Sequence, residues 1–292
     1  MTQDDVPDRQ DRSRRPGEIT SPANPRVKWL LSLRKRRVRD DEQVAVVEGH
    51  DELVLALEAG VRPRLLATCP DLLGEDAAAI VDRVRSLGAE VVTMGAAAFA
   101  KASYRESPDG WLAVVPDPAR TLADLEPVLK AATAVGRPPL LLVCEAVEKP
   151  GNLGAMLRTA EAAGVDAVIS ASPVADWGNP NVVRASKGTL FALPVAAAGA
   201  EQVVTWLRSQ GIRIVIATPD TDVLVTDLDL TRPTAIVVGA EHDGVSALWF
   251  DAERTGPDAT AAKLPMMGRV NSLNVATSAA IAVYEAVRQR AG

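Results

Sequence analysis

From residue 140 onward the chain alternates short apolar runs with stretches of helical character, and that alternation leaves few folds open. The runs Leu140–Cys144, Ala167–Ser170, Phe191–Val195, Ile212–Ala217, Ala235–Gly239 and Ala262–Met266 read as strands. Leu153–Ala163, Val182–Lys187, Glu201–Ser209 and Val275–Arg290 read as helices. Strand–helix alternation predicts an α/β fold, a parallel sheet with helices on both faces. Strands that are apolar throughout suit a sheet buried on both sides. Aromatic residues make up 3% of the 292, so the interior must be built from Ala, Val and Leu. Ligands of such sheets sit at the carboxyl ends of strands. That rule selects the loops 145–152, 218–222, 239–246 and 266–274.

The front of the chain reads differently. Residues 1–16 are polar and are expected as a disordered tail. Residues 44–115 alternate strand-like and helical stretches on a smaller scale: strands at Val44–Glu48, Arg64–Thr68, Val91–Thr93 and Trp111–Val115, helices at Asp51–Ala59 and Ala77–Leu87. The expected division is a first α/β domain over 17–117, a linker over 118–138 ending in Gly136-Arg137-Pro138-Pro139, and a second domain over 139–292.

A formal charge of −6 argues against a protein that coats nucleic acid indiscriminately. The charge is unevenly spread. Residues 26–39 hold seven cations and no acid, interleaved with Trp29, Leu30, Leu31 and Leu33. This predicts one amphipathic basic helix whose Arg26, Lys28, Arg34, Lys35, Arg36 and Arg37 are candidates for RNA phosphate contact. A solvated helix face is the plainer reading of such a run. Cys69 and Cys144 fit buried apolar positions, and neither they nor His50 and His242 have metal-ligand spacing, so no metal is expected. No run approaches the ~20 apolar residues of a membrane span, and the N-terminus lacks a signal-peptide core; a soluble, cytoplasmic protein is the expectation.

Three of the selected loops carry polar residues suited to chemistry. In Glu145–Arg158, Gly151 and Gly154 permit close backbone approach, Asn152 suits a helix N-cap, and Arg158 lies about two turns into the helix. In Val237–Ser246, a buried strand runs into Gly239, then Glu241, then Gly244. In Leu264–Asn274, Ser272 and Asn274 can cap the final helix, whose small residues suit close packing against its own sheet or a second subunit. Singly, each loop is equally an ordinary turn or a capped helix.

Taken in order, these loops resemble the SPOUT superfamily, and within it the TrmH/SpoU RNA ribose 2′-O-methyltransferases. The likeness rests on Asn152, Gly154, Arg158 and Thr159-Ala160; on Arg184-Ala185-Ser186-Lys187-Gly188 and Leu193-Pro194-Val195; on Gly239, Glu241 and Gly244; and on Pro265-Met266, Gly268 and Ser272-Leu273-Asn274-Val275. It is similar, more weakly, over Ile19–Lys28 and Val47-Glu48-Gly49 to the family's L30e-like substrate-binding domain. The resemblance implies a C-terminal domain with a deep trefoil knot, a homodimer, and S-adenosyl-L-methionine held near Thr218, Gly239, Leu264, Met266 and Leu273. It implies catalytic roles for Asn152, Arg158, Glu241, Ser272 and Asn274, and RNA as substrate, with 23S ribosomal RNA favoured over tRNA. The family proposal makes Arg158 the base. A guanidinium pKa above ~12 favours electrostatic stabilisation of the alkoxide instead, with Glu241 orienting Arg158 or relaying the proton. Other readings are a noncatalytic RNA-binding assembly factor on the same scaffold, and a nucleotide-dependent oxidoreductase, which the lack of GxGxxG disfavours.

Overall fold

The computed structural model describes residues 17–75, 77–270 and 272–291. The expected tail, 1–16, lies outside the described residues. Asn24 caps α1 (Pro25–Ser32) by accepting from the Arg26 amide at 2.8 Å, and Pro25 takes the first turn, where a missing N–H is harmless. The basic segment is two helices rather than one. The chain turns at 33–35 before α2 (Arg36–Glu42), because Leu30 and Leu33 both go into the core and the Arg39 side chain folds back onto the Leu33 and Arg34 carbonyls.

The first unit continues with β1 (Val44–Glu48), α3 (His50–Glu58), β2 (Leu65–Thr68), α4 (Ala77–Ser86), β3 (Glu90–Thr93), α5 (Ala96–Ala102) and β4 (Trp111–Pro116). Its four strands lie in the order β1-β4-β2-β3, with β4 antiparallel to both neighbours.

Residues 119–134, expected as linker, carry β5 (Ala119–Arg120) and α6 (Glu126–Ala134), and both belong to the second sheet. β5 pairs with a strand near residue 195, and Leu125 and Leu129 are buried in the core below that sheet. There follow β6 (Leu140–Glu145), α7 (Pro150–Ala162), β7 (Ala167–Ala171), α8 (Pro180–Ala185), α9 (Thr189–Ala192), β8 (Val195–Ala198), α10 (Ala200–Ser209), β9 (Arg213–Ala217), β10 (Thr234–Val238), α11 (Ala252–Thr255), β11 (Ala259–Ala262) and α12 (Val275–Arg290). All pairings of the seven-stranded sheet, β11-β9-β10-β6-β7-β8-β5, are parallel.

Two expected strands are displaced. Phe191 belongs to α9, which starts after Gly188 turns the chain at φ +83°; Leu193 is extended before Pro194, and pairing begins only at Val195. The last strand ends at Ala262 rather than running from it. Lys263 turns to the 223–225 loop, its amide to the Val223 carbonyl and its carbonyl to the Val225 amide, each 2.9 Å, and Pro265 has no amide to pair.

One buried core runs through both units. Ala45, Val47, Leu53 and Leu57 of the front pack in the same cluster as Leu153, Trp177, Val182 and Leu190. Both cysteines are buried, and burial pushes the Cys144 thiol up to about 12, so it is a packing atom rather than a nucleophile. Among the described residues no helix is long and apolar enough to cross a membrane.

Gly154 shows why one helix carries glycine in its middle. A Cβ there would collide with Ala185 and stand 2.7 Å from the Ser186 amide nitrogen, so α7 and α8 touch backbone to backbone. Alanine at a free helix position stabilises by about 1 kcal/mol over glycine, whereas overpacking costs about 1–3 kcal/mol. Packing wins here: Gly154→Ala is expected to lower the urea midpoint, and a raised midpoint would show that the two helices part easily.

Candidate active site

The carboxyl ends of β9, β10 and β11 lie side by side, since β10 and β11 each pair with β9 in parallel register. Thr218, Gly239 and Leu264 therefore emerge at one edge of the sheet. The Thr218 amide donates to the Ala262 carbonyl at 3.0 Å, holding the first of these loops against the third strand. Thr218 and Leu264 are half-buried, as is Met266, while Leu273 is exposed.

After β10 the chain makes a tight loop. Ala240 and Gly244 exchange both backbone hydrogen bonds at 3.0 Å. Gly244 takes φ +68°, and a Cβ on Gly239 would overlap the Gly244 carbonyl, so the closure requires glycine at 239. Glu241 rides on the exposed part of this loop. Beneath it Glu145, 4% exposed at the end of β6, accepts from both the amide and hydroxyl of Ser246 at 2.7 Å. No role had been expected for Glu145; an acid closing an otherwise apolar run was the available signal.

Asn152 is not the N-cap of α7. The helix starts at Pro150 after Lys149, which makes no side-chain cap bond, and Asn152 sits in its first turn. Its amide is thereby free for two distant partners. Nδ2 donates to Glu241 Oε1, and Oδ1 accepts from Asn274 Nδ2 at 3.2 Å. Asn274 is a true N-cap: its Oδ1 accepts from the amides of Ala276 and Thr277 at 2.9 and 3.4 Å. Three expected site residues thus form one chain, Glu241–Asn152–Asn274. Two others stay apart. Ser272 is exposed and outside this chain of bonds, and Arg158 is exposed on α7 with no hydrogen bond or ion pair to another described residue. Glu241 therefore orients Asn152 here, not Arg158.

The six cations expected at RNA divide into two groups. Arg26 pairs with Glu90 at 2.6 Å. Arg34 donates to the Ser103 carbonyl and lies 4.9 Å over the Tyr104 ring. Arg36 reaches the Val174 carbonyl at 3.2 Å. Lys28, Lys35 and Arg37 face solvent, Arg37 with only Asp41 one turn away. His242 is exposed, His50 bonds Asp51 at 2.9 Å, and no cluster suited to a metal ion occurs among the described residues.

The family model described as "SpoU rRNA Methylase family" matches residues 139–284. The chain belongs to this family. The MRM3-like substrate binding domain matches 24–113, the region of the first sheet and its helices. A 23S rRNA (uridine(2479)-2′-O)-methyltransferase of Streptomyces viridochromogenes is 34% identical over 89% of this chain and 88% of its own length. The 23S rRNA (guanosine(2553)-2′-O)-methyltransferase RlmP of Bacillus subtilis is 28% identical over 91% of this chain and 98% of its own. The AdoMet-bound structure of an rRNA methyltransferase from Sinorhizobium meliloti superposes with a TM-score of 0.81 at 26% identity, covering 93% of this chain and 97% of the other.

Asn274 serves the helix and the site with different atoms, so the two duties separate. Asn274→Ala removes the cap and is expected to destabilise by about 1 kcal/mol. Asn274→Asp keeps the cap acceptor at a helix N-terminus, where negative charge is favourable, but removes the donor to Asn152. Thermal denaturation should leave the Asp variant near wild type and the Ala variant clearly below it; equal losses would mean that the Asn152 bond, not the cap, carries the stability.

Proposed function

We propose that this chain transfers a methyl group from S-adenosyl-L-methionine to a ribose 2′-hydroxyl of 23S ribosomal RNA. The observation that carries the reading is the Glu241–Asn152–Asn274 chain of hydrogen bonds beside the adjacent ends of β9, β10 and β11, in a member of the SpoU rRNA methylase family. The names of the relatives support ribosomal RNA and a ribose oxygen.

The strand-end crevice fits the cofactor by its chemistry. Thr218, Gly239 and Leu264 stand at adjacent strand ends, and the glycine closure at 239–244 lets main chain approach closely. We assign these residues to the cofactor and the expected trefoil knot to this same region. Bound there, S-adenosylmethionine supplies a sulfonium methyl open to in-line attack.

The protein's own part is positioning and charge. Asn152, itself held by Asn274, donates to one oxygen of the Glu241 carboxylate, leaving the other to orient the 2′-hydroxyl or take its proton. The Arg158 guanidinium stabilises the developing alkoxide electrostatically. Ser272 stands in the same loop as Leu273 and contacts the ribose. A homodimer is supported by Ile281 and Tyr284, exposed on α12, and by Met267 and Val270 in the loop before it. A cytoplasmic location goes with a ribosomal RNA substrate.

Labelled methyl transfer to unmodified 23S rRNA transcript tests the reading. Arg158→Ala is expected to slow transfer by about 10²–10³-fold, the typical loss of one preorganised electrostatic stabiliser, with cofactor affinity by calorimetry unchanged. Transfer at the wild-type rate would remove Arg158 from the mechanism. Absence of cofactor binding to the wild-type protein would favour a noncatalytic RNA-binding role.

RNA binding should follow the outward cations. Replacing Lys28, Lys35 and Arg37 by Gln is expected to reduce the slope of log affinity against log salt by about 2, since each phosphate contact to a single strand contributes about 0.7. An unchanged slope would place the RNA elsewhere.

A further inference from the structure

Arg39 is the one member of the basic segment that is buried, at 3% exposure. Its Nη2 meets both carboxylate oxygens of Asp176 at 2.8 and 2.9 Å, across 137 residues of sequence and across the junction of the two units. Its Nη1 holds the carbonyls of Leu33 and Arg34, the turn between α1 and α2. Its Nε is buried with no hydrogen-bond partner. Arg36 adds a second tie from the same helix to the same loop, through the Val174 carbonyl.

Adhesion between the units does not need this pair. The shared core of Ala45, Val47, Trp177 and Val182 already joins them, and an apolar replacement of a buried ion pair is often neutral or stabilising. An orphaned Nε makes the pair a still poorer device for stability. What a planar guanidinium supplies, and an apolar contact does not, is a fixed angle: Nη1 is held by the α1–α2 turn and Nη2 by the Asp176 carboxylate.

The Asp176 loop is rigid on its other side. Trp177 Nε1 donates to the Ala196 carbonyl at 2.9 Å, and a Cβ added at Gly178 would lie 3.4 Å from the Ala45 side chain. The loop leaves β7 at Ala171, whose carbonyl accepts from the Ala146 amide at 2.9 Å. Ala146 opens the segment that leads to Asn152. A short, hydrogen-bonded path therefore runs from the α1–α2 turn through Arg39, Asp176 and β7 to the loop preceding the site.

We propose that Arg39 and Asp176 are positioning residues for methyl transfer, fixing the angle at which the RNA-bearing front meets the strand-end site and thereby selecting which ribose reaches Glu241. This rests on the reading of the chain as an RNA methyltransferase.

The test compares wild type, Asp176→Asn and the apolar pair Arg39→Met/Asp176→Leu, all full length. Melting temperature and calorimetric affinity for S-adenosylmethionine report folding and the cofactor site. Methyl transfer to unmodified 23S rRNA transcript reports kcat and KM, and mapping of 2′-O-methylated positions reports selection. The apolar pair is expected to fold, to bind the cofactor as wild type does, and to lose at least tenfold in kcat/KM or to spread methyl over neighbouring nucleotides. Wild-type kcat/KM with a single wild-type position in the folded apolar pair would overturn the proposal. So would failure of both variants to fold, which would make the pair a stability element. A wild type that methylates no RNA overturns the underlying reading first, and is distinguished from the other outcomes by needing no variant.

Discussion

Asn152 is a primary amide, donor on one side and acceptor on the other, and it uses both against residues 89 and 122 positions away. Only asparagine and glutamine carry an NH2 donor and a carbonyl acceptor on separate atoms of one planar amide; a hydroxyl has both on a single oxygen. A carboxylate there would repel Glu241, and a lysine would have nothing to accept from Asn274. The separate loops become one site only because a two-sided group stands where α7 begins. It is free to do so because Lys149 and Pro150 start the helix without it.

The sheet supplies the frame in which so short a side chain can span its partners. β6 and β10 pair in register from Leu140 with Thr234 to Cys144 with Val238, so the loops bearing Asn152 and Glu241 leave at the same height. Glu145 and Ser246 then pin the two loops together just below. α12 packs against α7, which sets its N-cap Asn274 beside Asn152. Gly239 lets the loop bearing Glu241 close on Gly244, and Gly154 lets α7 and α8 touch backbone to backbone.

Much of this was legible in the sequence, and the reasons for success and failure are physical. β6, β7, β9 and β10 are each built on a short apolar run, and α12 begins at its cap as expected, because those signals are local. The displaced strands depended on non-local partners: Lys263 pairs with the 223–225 loop rather than extending the sheet. The basic segment broke in two because Leu30 and Leu33, and Val38 beyond the turn, are claimed by one core. Asn152, Glu241 and Asn274 could be named from their motifs, but not their mutual bonds, which are tertiary. Arg39 was hidden for the opposite reason. In a run of cations it looks like its neighbours, and only burial against Asp176 separates it.

The charge distribution then takes a specific meaning. A basic segment that turns Lys28, Lys35 and Arg37 outward can gain only limited affinity from counterion release, since that term scales with the phosphates neutralised. Weak, general attraction cannot choose one ribose among thousands. On the proposed function, selection comes from geometry: from the distance between the exposed Lys28, Lys35 and Arg37 and the edge where Glu241 sits. That distance spans the junction of the two units, and its constancy depends on whatever resists rotation there. Apolar contacts resist separation but tolerate sliding; a guanidinium tied through Nη1 to the α1–α2 turn and through Nη2 to Asp176 resists both. A fold that commits a buried arginine to the junction, at some expense in desolvation, is a fold in which the angle matters more than the last increment of stability.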